Sequence, residues 1–382
     1  MRRRLPVLVI AVAAAAWAGT AAGADLPAVE GEAIILANGA TGEVLYERNA
    51  DERHPIASIT KLMTAIVTLE RARPGETVTV GSAAPAIGES SIELRRGERL
   101  SVRDLLAAAL IQSANDAAFA LAGHTAGGVG SFVRLMNAEA AELGLEETNF
   151  ERPDGLDTPG HLSSARDVLA LARAAMRRPL VRDLVRRETA RIAGGRSLFS
   201  WNDLLGNYDG LIGVKTGHTE DAGWCQVAAA RRNGVVVYAV ILGSPSRGQR
   251  NDDLAELMDW GFDQYVRMPV VDSDRVYATA EIPFAEERLE LVPVREARAV
   301  LRVGRGLTER VVAPAVVDLP VRKGQELGMV TVFAGKRVVA TRPLVAAHDV
   351  PEPSLGDRAG WYADETLAEA GDMVGEVFGA VW

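Results

Sequence analysis

The stretch Trp224-Cys225-Gln226-Val227-Ala228-Ala229-Ala230-Arg231, then Asn233-Gly234, then Val235-Val236-Val237-Tyr238-Ala239-Val240-Ile241-Leu242 decides the fold class. Two short runs rich in apolar and β-branched residues are joined by Asn-Gly, a strong two-residue hairpin signal. Leu211 to Lys215, just upstream, has the same character. Before Asn202 the texture differs. Gly31 to Arg48 reads as strand, turn (Asn38-Gly39-Ala40-Thr41-Gly42), strand. Helical runs follow from Ile59 to Ala72, closed by Pro74-Gly75, and from Leu105 to Gln112, where Ser101 and Asp104 make a capping-box-like start. Others run from after Ser113 to Leu121, over about 131–143 and 163–176, and over about 252–265 beyond the hairpin. Strands at both ends with helices between them predict an α+β domain, an antiparallel sheet with helices on its faces.

Beyond Val266 the helical period vanishes. Strand-like runs of Val, Leu and Ala alternate with Gly and Pro to about Val350, which predicts a small all-β domain. Pro351, Pro353 and Gly356 mark a linker. In the tail, Leu367, Ala370, Val374, Val377, Phe378 and Val381 share one helical face, while Glu365, Glu369, Asp372 and Glu376 share another. Such a helix lies on a membrane surface, on the protein itself or on a second copy. Interfacial helices usually carry Lys and Arg, and this one carries acids.

The first 24 residues have the layout of a secretory signal peptide: Arg2-Arg3-Arg4, an apolar run from Leu5 to Ala18, and small residues Ala22-Gly23-Ala24. The expected organisation is therefore 1–24 signal peptide, 25–266 catalytic domain, 267–350 β-rich domain, and 351–382 linker and tail helix. Export puts the working chain outside the cytoplasm, in periplasm or cell wall. The whole chain carries a net charge of −9, and loss of three leader arginines makes it more acidic still. That balance argues against nucleic acid as a partner. Cys225 is the only cysteine, which forbids an intramolecular disulfide and fits a small core residue.

Of the 42 basic residues only four are lysines: Lys61, Lys215, Lys323 and Lys336. Arginine stays charged at any workable pH, whereas lysine can be tuned to release its proton, so chemistry is one reason to retain it. Two of the four sit in short elements that stand in order: Ser58-Ile59-Thr60-Lys61, Ser113-Ala114-Asn115 and Lys215-Thr216-Gly217. Singly each has a bland reading, as a helix cap, an Asx or Ser turn, and a strand ending in a turn. Together they describe a mechanism. Residues three apart on a helix stand one above the other, so Lys61 can reach the Ser58 hydroxyl and take its proton once burial and a nearby cation lower its pKa. Lys215 is the candidate cation and carboxylate holder, Ser113 the proton carrier, and Asn115 the orienting group. Backbone N–H groups of Ser58 and His218 are candidate oxyanion donors. The five histidines (His54, His124, His161, His218 and His348) form no His-Glu-x-x-His metal motif, and no Gly-x-Ser-x-Gly elbow occurs.

These motifs and their surroundings resemble the low-molecular-mass penicillin-binding proteins, specifically the serine-type D-Ala-D-Ala carboxypeptidases. The resemblance extends through Gly42-Glu43-Val44-Leu45-Tyr46, Asn137-Ala138, Leu143-Gly144-Leu145, Pro153-Asp154-Gly155-Leu156, His161, Lys215-Thr216-Gly217-His218-Thr219 and Trp260-Gly261-Phe262. It implies a five-stranded antiparallel sheet flanked by helices, followed by a β-rich domain containing Val321-Arg322-Lys323-Gly324-Gln325. It also implies Ser58 as acyl-ester nucleophile, Lys61 as proton acceptor, Ser113 as second catalytic serine, and Lys215 as a substrate-binding group. Asn115, Thr216, Gly217, His218 and Arg250 are the remaining implied substrate contacts. Peptidoglycan stem peptides are the implied substrate and β-lactams the covalent inhibitors, with no cofactor and no metal. A D,D-endopeptidase, a β-lactamase and a non-catalytic wall-binding protein are the alternatives.

Overall fold

A computed structural model describes residues 7–12, 26–359 and 361. The chain divides into two compact units, one ending at Gln264 and the other running from Tyr265 onward and including the strand Val7–Val12.

In the first unit a five-stranded antiparallel sheet has the spatial order Val44–Arg48, Ala33–Asn38, Val235–Ser244, Gly223–Arg232, Leu211–Thr219. The Asn233-Gly234 hairpin forms as its chemistry requires, with φ of 49° and 82° at the two turn residues. Both faces of this sheet are covered. Ala33, Ile35, Ala37, Val227, Ala229, Val240 and Leu242 belong to one large core with the first-half helices. The opposite face meets the helix Arg247–Asp263, where Gly261 comes so close to Leu36 that a Cβ would sit 2.8 Å from its Cδ2. Burial on both faces explains why the inner strands Ala33–Asn38 and Val235–Ser244 are almost continuously apolar rather than alternating.

The helices are α1 (Lys61–Arg71), α2 (Val102–Ala107), α3 (Asn115–Ala126), α4 (Val129–Glu142), α5 (Ala165–Met176), α6 (Pro179–Val185) and α7 (Arg247–Asp263). Helix α1 is buried over its first eight residues, Lys61 to Thr68, so its lysine has no route to solvent. Ser101 caps α2 as expected: its Oγ accepts the Asp104 N–H and donates to the Asp104 carboxylate.

Several local expectations change. The run expected as one helix over 105–112 is α2 followed by a π-helical turn, Ala108–Gln112, which ends at Ser113 in the left-handed region with φ 68°. Lys215-Thr216-Gly217 does not end a strand but lies inside one, Leu211–Thr219, which continues through His218. Helix α7 starts five residues earlier than the sequence suggests, because the Ser246 hydroxyl accepts the Gln249 N–H and caps it. Helix α6, with Pro179 in its first turn, had no counterpart in the sequence reading.

From Tyr265 to Ala346 the second unit is built of strands, and residues 355–359 are helical. Its six-stranded antiparallel sheet has the order Val7–Val12, Leu307–Pro314, Glu326–Ala334, Arg337–Ala346, Arg288–Pro293, Ala278–Glu281. A separate pair joins Tyr265–Val271 to Ala297–Arg302. Leu289, Leu291, Val311, Val330, Val332 and Leu344 fill its own core. The strand Val7–Val12 falls within the segment expected as a leader. The tail helix expected over 367–382 lies outside the described residues.

Candidate active site

The Ser58 turn is a 3-10 segment, Ala57–Thr60, leading directly into α1. Two glycines press on it. A Cβ on Gly155 would stand 2.0 Å from the Ala57 carbonyl oxygen, and its φ of +87° disfavours any side chain independently. On the other side a Cβ on Gly217 would lie 2.8 Å from the Ile56 carbonyl oxygen and 3.2 Å from the Ser58 amide nitrogen. Absence of two side chains thus lets the Pro153–Leu156 loop and the Leu211–Thr219 strand grip the turn.

Beneath Ser58, the fully buried Lys61 ammonium donates three hydrogen bonds, each 2.7 Å: to Ser58 Oγ, to Asn115 Oδ1 and to the Asp154 carbonyl. Burial pulls its pKa down to about 7 against the opposing influence of the Asp154 carboxylate. That carboxylate is itself held by Arg152 through bonds of 2.5 and 2.9 Å. Ser113, at the left-handed end of the π turn, accepts a 3.0 Å bond from Lys215 Nζ. Lys215 is also fully buried, and burial together with the neighbouring Lys61 and Arg250 charges lowers its pKa well below the usual lysine range. The two lysines are thus a coupled pair in which burial and mutual repulsion oppose full protonation.

Around this pair lies a cleft of about 680 Å³, solvent-open mouth included, bounded by Ser58, Ser113, Asn115, Thr216, Gly217, His218 and Arg250. Every non-lysine residue singled out in the sequence is therefore on its wall, and Lys61 and Lys215 reach Ser58 and Ser113 from below. Arg250 is almost completely buried on α7 and its pKa is lowered to about 10 by desolvation. It donates to Asn251 Oδ1 at 2.6 Å, and Asn251 in turn donates to Asp203, which also pairs with Arg247. His218 is exposed and lies over the Trp224 ring with centroids 4.0 Å apart.

Glu89, Ser90, Trp201, Trp224 and Arg247 complete the cleft and were missed in the sequence. No local motif marks them, because they arrive from loops, from α7 and, for Trp224, from the strand Gly223–Arg232. His161, noted only as part of the resemblance, supports the turn from behind. Its Nδ1 accepts the Glu151 N–H, so Nε2 carries the proton and donates to Thr60 Oγ1 at 2.8 Å. Burial lowers its pKa to about 4 and keeps it neutral. Cys225 is a buried core thiol whose pKa burial pushes up to about 12. Among the described residues no group of three or more His, Cys, Asp or Glu side chains is placed to hold a metal ion.

A serine hydroxyl bonded to a buried lysine, beside a second serine–lysine pair, defines a lysine-activated serine acyl-transfer site. Residues 20–246 match the family described as D-alanyl-D-alanine carboxypeptidase, Peptidase S11, and residues 269–352 match the penicillin-binding protein 5 C-terminal domain. The chain belongs to the D-alanyl-D-alanine carboxypeptidase family. The D-alanyl-D-alanine carboxypeptidase DacF of Bacillus subtilis (strain 168) is 30% identical over 337 residues, covering 84% of this chain and 86% of that protein. DacC of Escherichia coli (strain K12), of the same printed activity, is 32% identical, with 86% of each chain covered. Among solved structures, penicillin binding protein 5 from Haemophilus influenzae is similar with a TM-score of 0.63 and 27% identity, covering 86% of this chain and 100% of that one. Penicillin-Binding Protein D2 from Listeria monocytogenes, in its ampicillin-bound form, gives 0.57 and 34%, over 62% of this chain and 98% of that one.

Proposed function

We propose that this protein removes the terminal D-alanine from peptidoglycan stem peptides through an acyl-enzyme on Ser58. The observation that carries the reading is the contact of Ser58 Oγ with a lysine whose pKa burial lowers to about 7, so that a large fraction is a neutral base at physiological pH.

Lys61 Nζ accepts the Ser58 proton as Oγ bonds to the carbonyl carbon of the penultimate D-alanine. The developing oxyanion is met by backbone N–H groups of Ser58 and His218. When the peptide C–N bond breaks, a proton passes to the leaving amine through the Ser113 hydroxyl, which Lys215 hydrogen-bonds. Free D-alanine departs and the peptide remains as an ester. Water, deprotonated by Lys61, then cleaves the ester and returns the proton to Ser58. Lys215, Thr216 and Arg250 bind the substrate's terminal carboxylate, which also restores positive charge to the lysine pair.

β-Lactams enter the same path: Oγ opens the ring and the amine product stays tethered, so the ester persists. The substrate's location and the leader-like first 24 residues support work outside the cytoplasmic membrane, in periplasm or wall. No helix among the described residues is long and apolar enough to cross a membrane. Digestion of a purified muropeptide mixture tests the reading. Pentapeptides shortened by one D-alanine, with cross-linked dimers left intact, are the expected products; cleaved cross-links with intact pentapeptides overturn it in favour of an endopeptidase.

A further inference from the structure

The cleft holds an unmatched negative charge that the acyl-transfer chemistry does not use. Four basic side chains serve the site: Lys61, Lys215, Arg247 and Arg250. Glu89 is the one carboxylate among the described residues that bounds the cleft. Arg247 has Asp203 as its partner, whereas no hydrogen bond or ion pair among the described residues engages the Glu89 side chain. The residue is exposed, yet its backbone is fixed. On one side the Gly88 carbonyl accepts from Asn115 Nδ2 at 3.2 Å, and on the other the Ser90 carbonyl accepts from the Asn115 N–H at 2.7 Å. Ser90 Oγ also donates to the Gln112 carbonyl at 2.9 Å.

Glu89 is thereby clamped on both sides to Asn115, the residue that bonds Lys61. It is held at φ 63°, a left-handed conformation that a side chain adopts only at a cost. Its electrostatic influence reaches Lys61, where it favours the charged form. That opposes the base, so a role toward the reaction itself is a poor account of it. Trp201 stands on the same cleft wall, half exposed, its Nε1 pinned to the Gln112 carbonyl at 3.0 Å. A carboxylate carried on an anchored backbone, sharing the cleft with a pinned indole over which Arg247 also lies at 5.7 Å, suits a long side chain ending in an ammonium, with its methylenes against the ring and its charge on the acid.

We propose that Glu89 is a specificity-determining residue that selects acyl-donor peptides whose residue before D-Ala-D-Ala carries a free side-chain ammonium, over peptides in which that amine is acylated. This rests on the acyl-transfer reading of the cleft. In wall polymer the distinction separates stems with a free amine from stems whose amine is already cross-linked.

The test compares acetyl-Lys-D-Ala-D-Ala, its side-chain-acetylated form and acetyl-norleucyl-D-Ala-D-Ala, on wild type and Glu89→Gln. In wild type the free-ammonium peptide is expected to show kcat/KM roughly three- to tenfold above the other two, and the advantage should shrink with added salt. In Glu89→Gln the three should converge. Any effect transmitted through Lys61 is common to all three peptides and cancels in the ratio. Binding of the same peptides to Ser58→Ala and Ser58→Ala/Glu89→Gln proteins gives a second readout that needs no turnover. Equal affinities for the free and acetylated peptides on Ser58→Ala, or a preference unchanged by Glu89→Gln, overturn the proposal. Absence of D-alanine release by wild type is a separate result and counts against the carboxypeptidase reading.

Discussion

Lys61 Nζ lies 2.7 Å from Ser58 Oγ, one helical turn along a segment buried so thoroughly that its ammonium meets only a hydroxyl, an amide oxygen and a carbonyl. The fold thus places a cation where solvation cannot stabilise it, and the proton is held loosely enough to be exchanged with the nucleophile.

The acylation rate should depend on the neutral form of Lys61. Its pKa is lowered to about 7, so kcat/KM for acylation should rise with pH through that value and then level off. The Asp154 carboxylate favours the charged form; Asp154→Asn should therefore move the acid limb to lower pH. A limb that stays in place, followed by stopped-flow with a chromogenic β-lactam, contradicts this.

Removing the lysine separates function from stability. Lys61→Met should lower acylation roughly 10²- to 10⁴-fold, the usual value of a general base. For stability the sign runs the other way. The lysine's folded pKa is below its unfolded one, so between about pH 7 and 10 the unfolded chain binds the additional proton, and stability rises with pH there. Lys61→Met should reduce that rise, leaving the share that the buried Lys215 contributes, and be no less stable than wild type at pH 7 in thermal melts. A melting temperature lowered by many degrees counts against a destabilising buried charge.

Gly155→Ala tests the squeeze on the nucleophile turn. The new Cβ faces the Ala57 carbonyl oxygen at 2.0 Å from a left-handed backbone, and either the loop or the turn must move. A loss of about 2 kcal/mol or more in denaturant unfolding is expected, with a larger loss in acylation rate than Gly160→Ala gives. Gly160 shares the positive φ, but its nearest neighbour is a flexible Glu151 side chain at 3.6 Å. Equal effects in the two variants contradict the account.

Arg250→Gln should discriminate carboxylate binding from chemistry. A charged hydrogen bond contributes about 1.5–3 kcal/mol, so peptides with a free terminal carboxylate should lose roughly 10- to 100-fold in kcat/KM, while an amidated peptide changes little. Equal loss on both peptides assigns Arg250 a structural role through Asn251 and Asp203.

Much of this is legible in the sequence, for identifiable physical reasons. The Asn233-Gly234 turn and the Ser101 cap are local devices, and both formed. The three motifs were recognisable because their residue types are chemically demanding and their order is unusual. What escaped was set by tertiary packing. Lys215-Thr216-Gly217 resembles a turn in isolation, but pairing of Lys215 with Val227 and Gly217 with Cys225 carries the strand onward. The π turn before Ser113 has no sequence signal of its own, since Ala108–Gln112 reads as ordinary helix. Glu89, Trp201 and Arg247 come from distant segments and meet only at the cleft.

The central claim is covalent attack by Ser58, and intact-mass analysis after brief exposure to benzylpenicillin tests it most directly. Wild type should gain the mass of one penicilloyl group, which peptide mapping places on Ser58, and Ser58→Ala should gain none. An adduct of undiminished yield on Ser58→Ala, or none on folded wild type, contradicts the account.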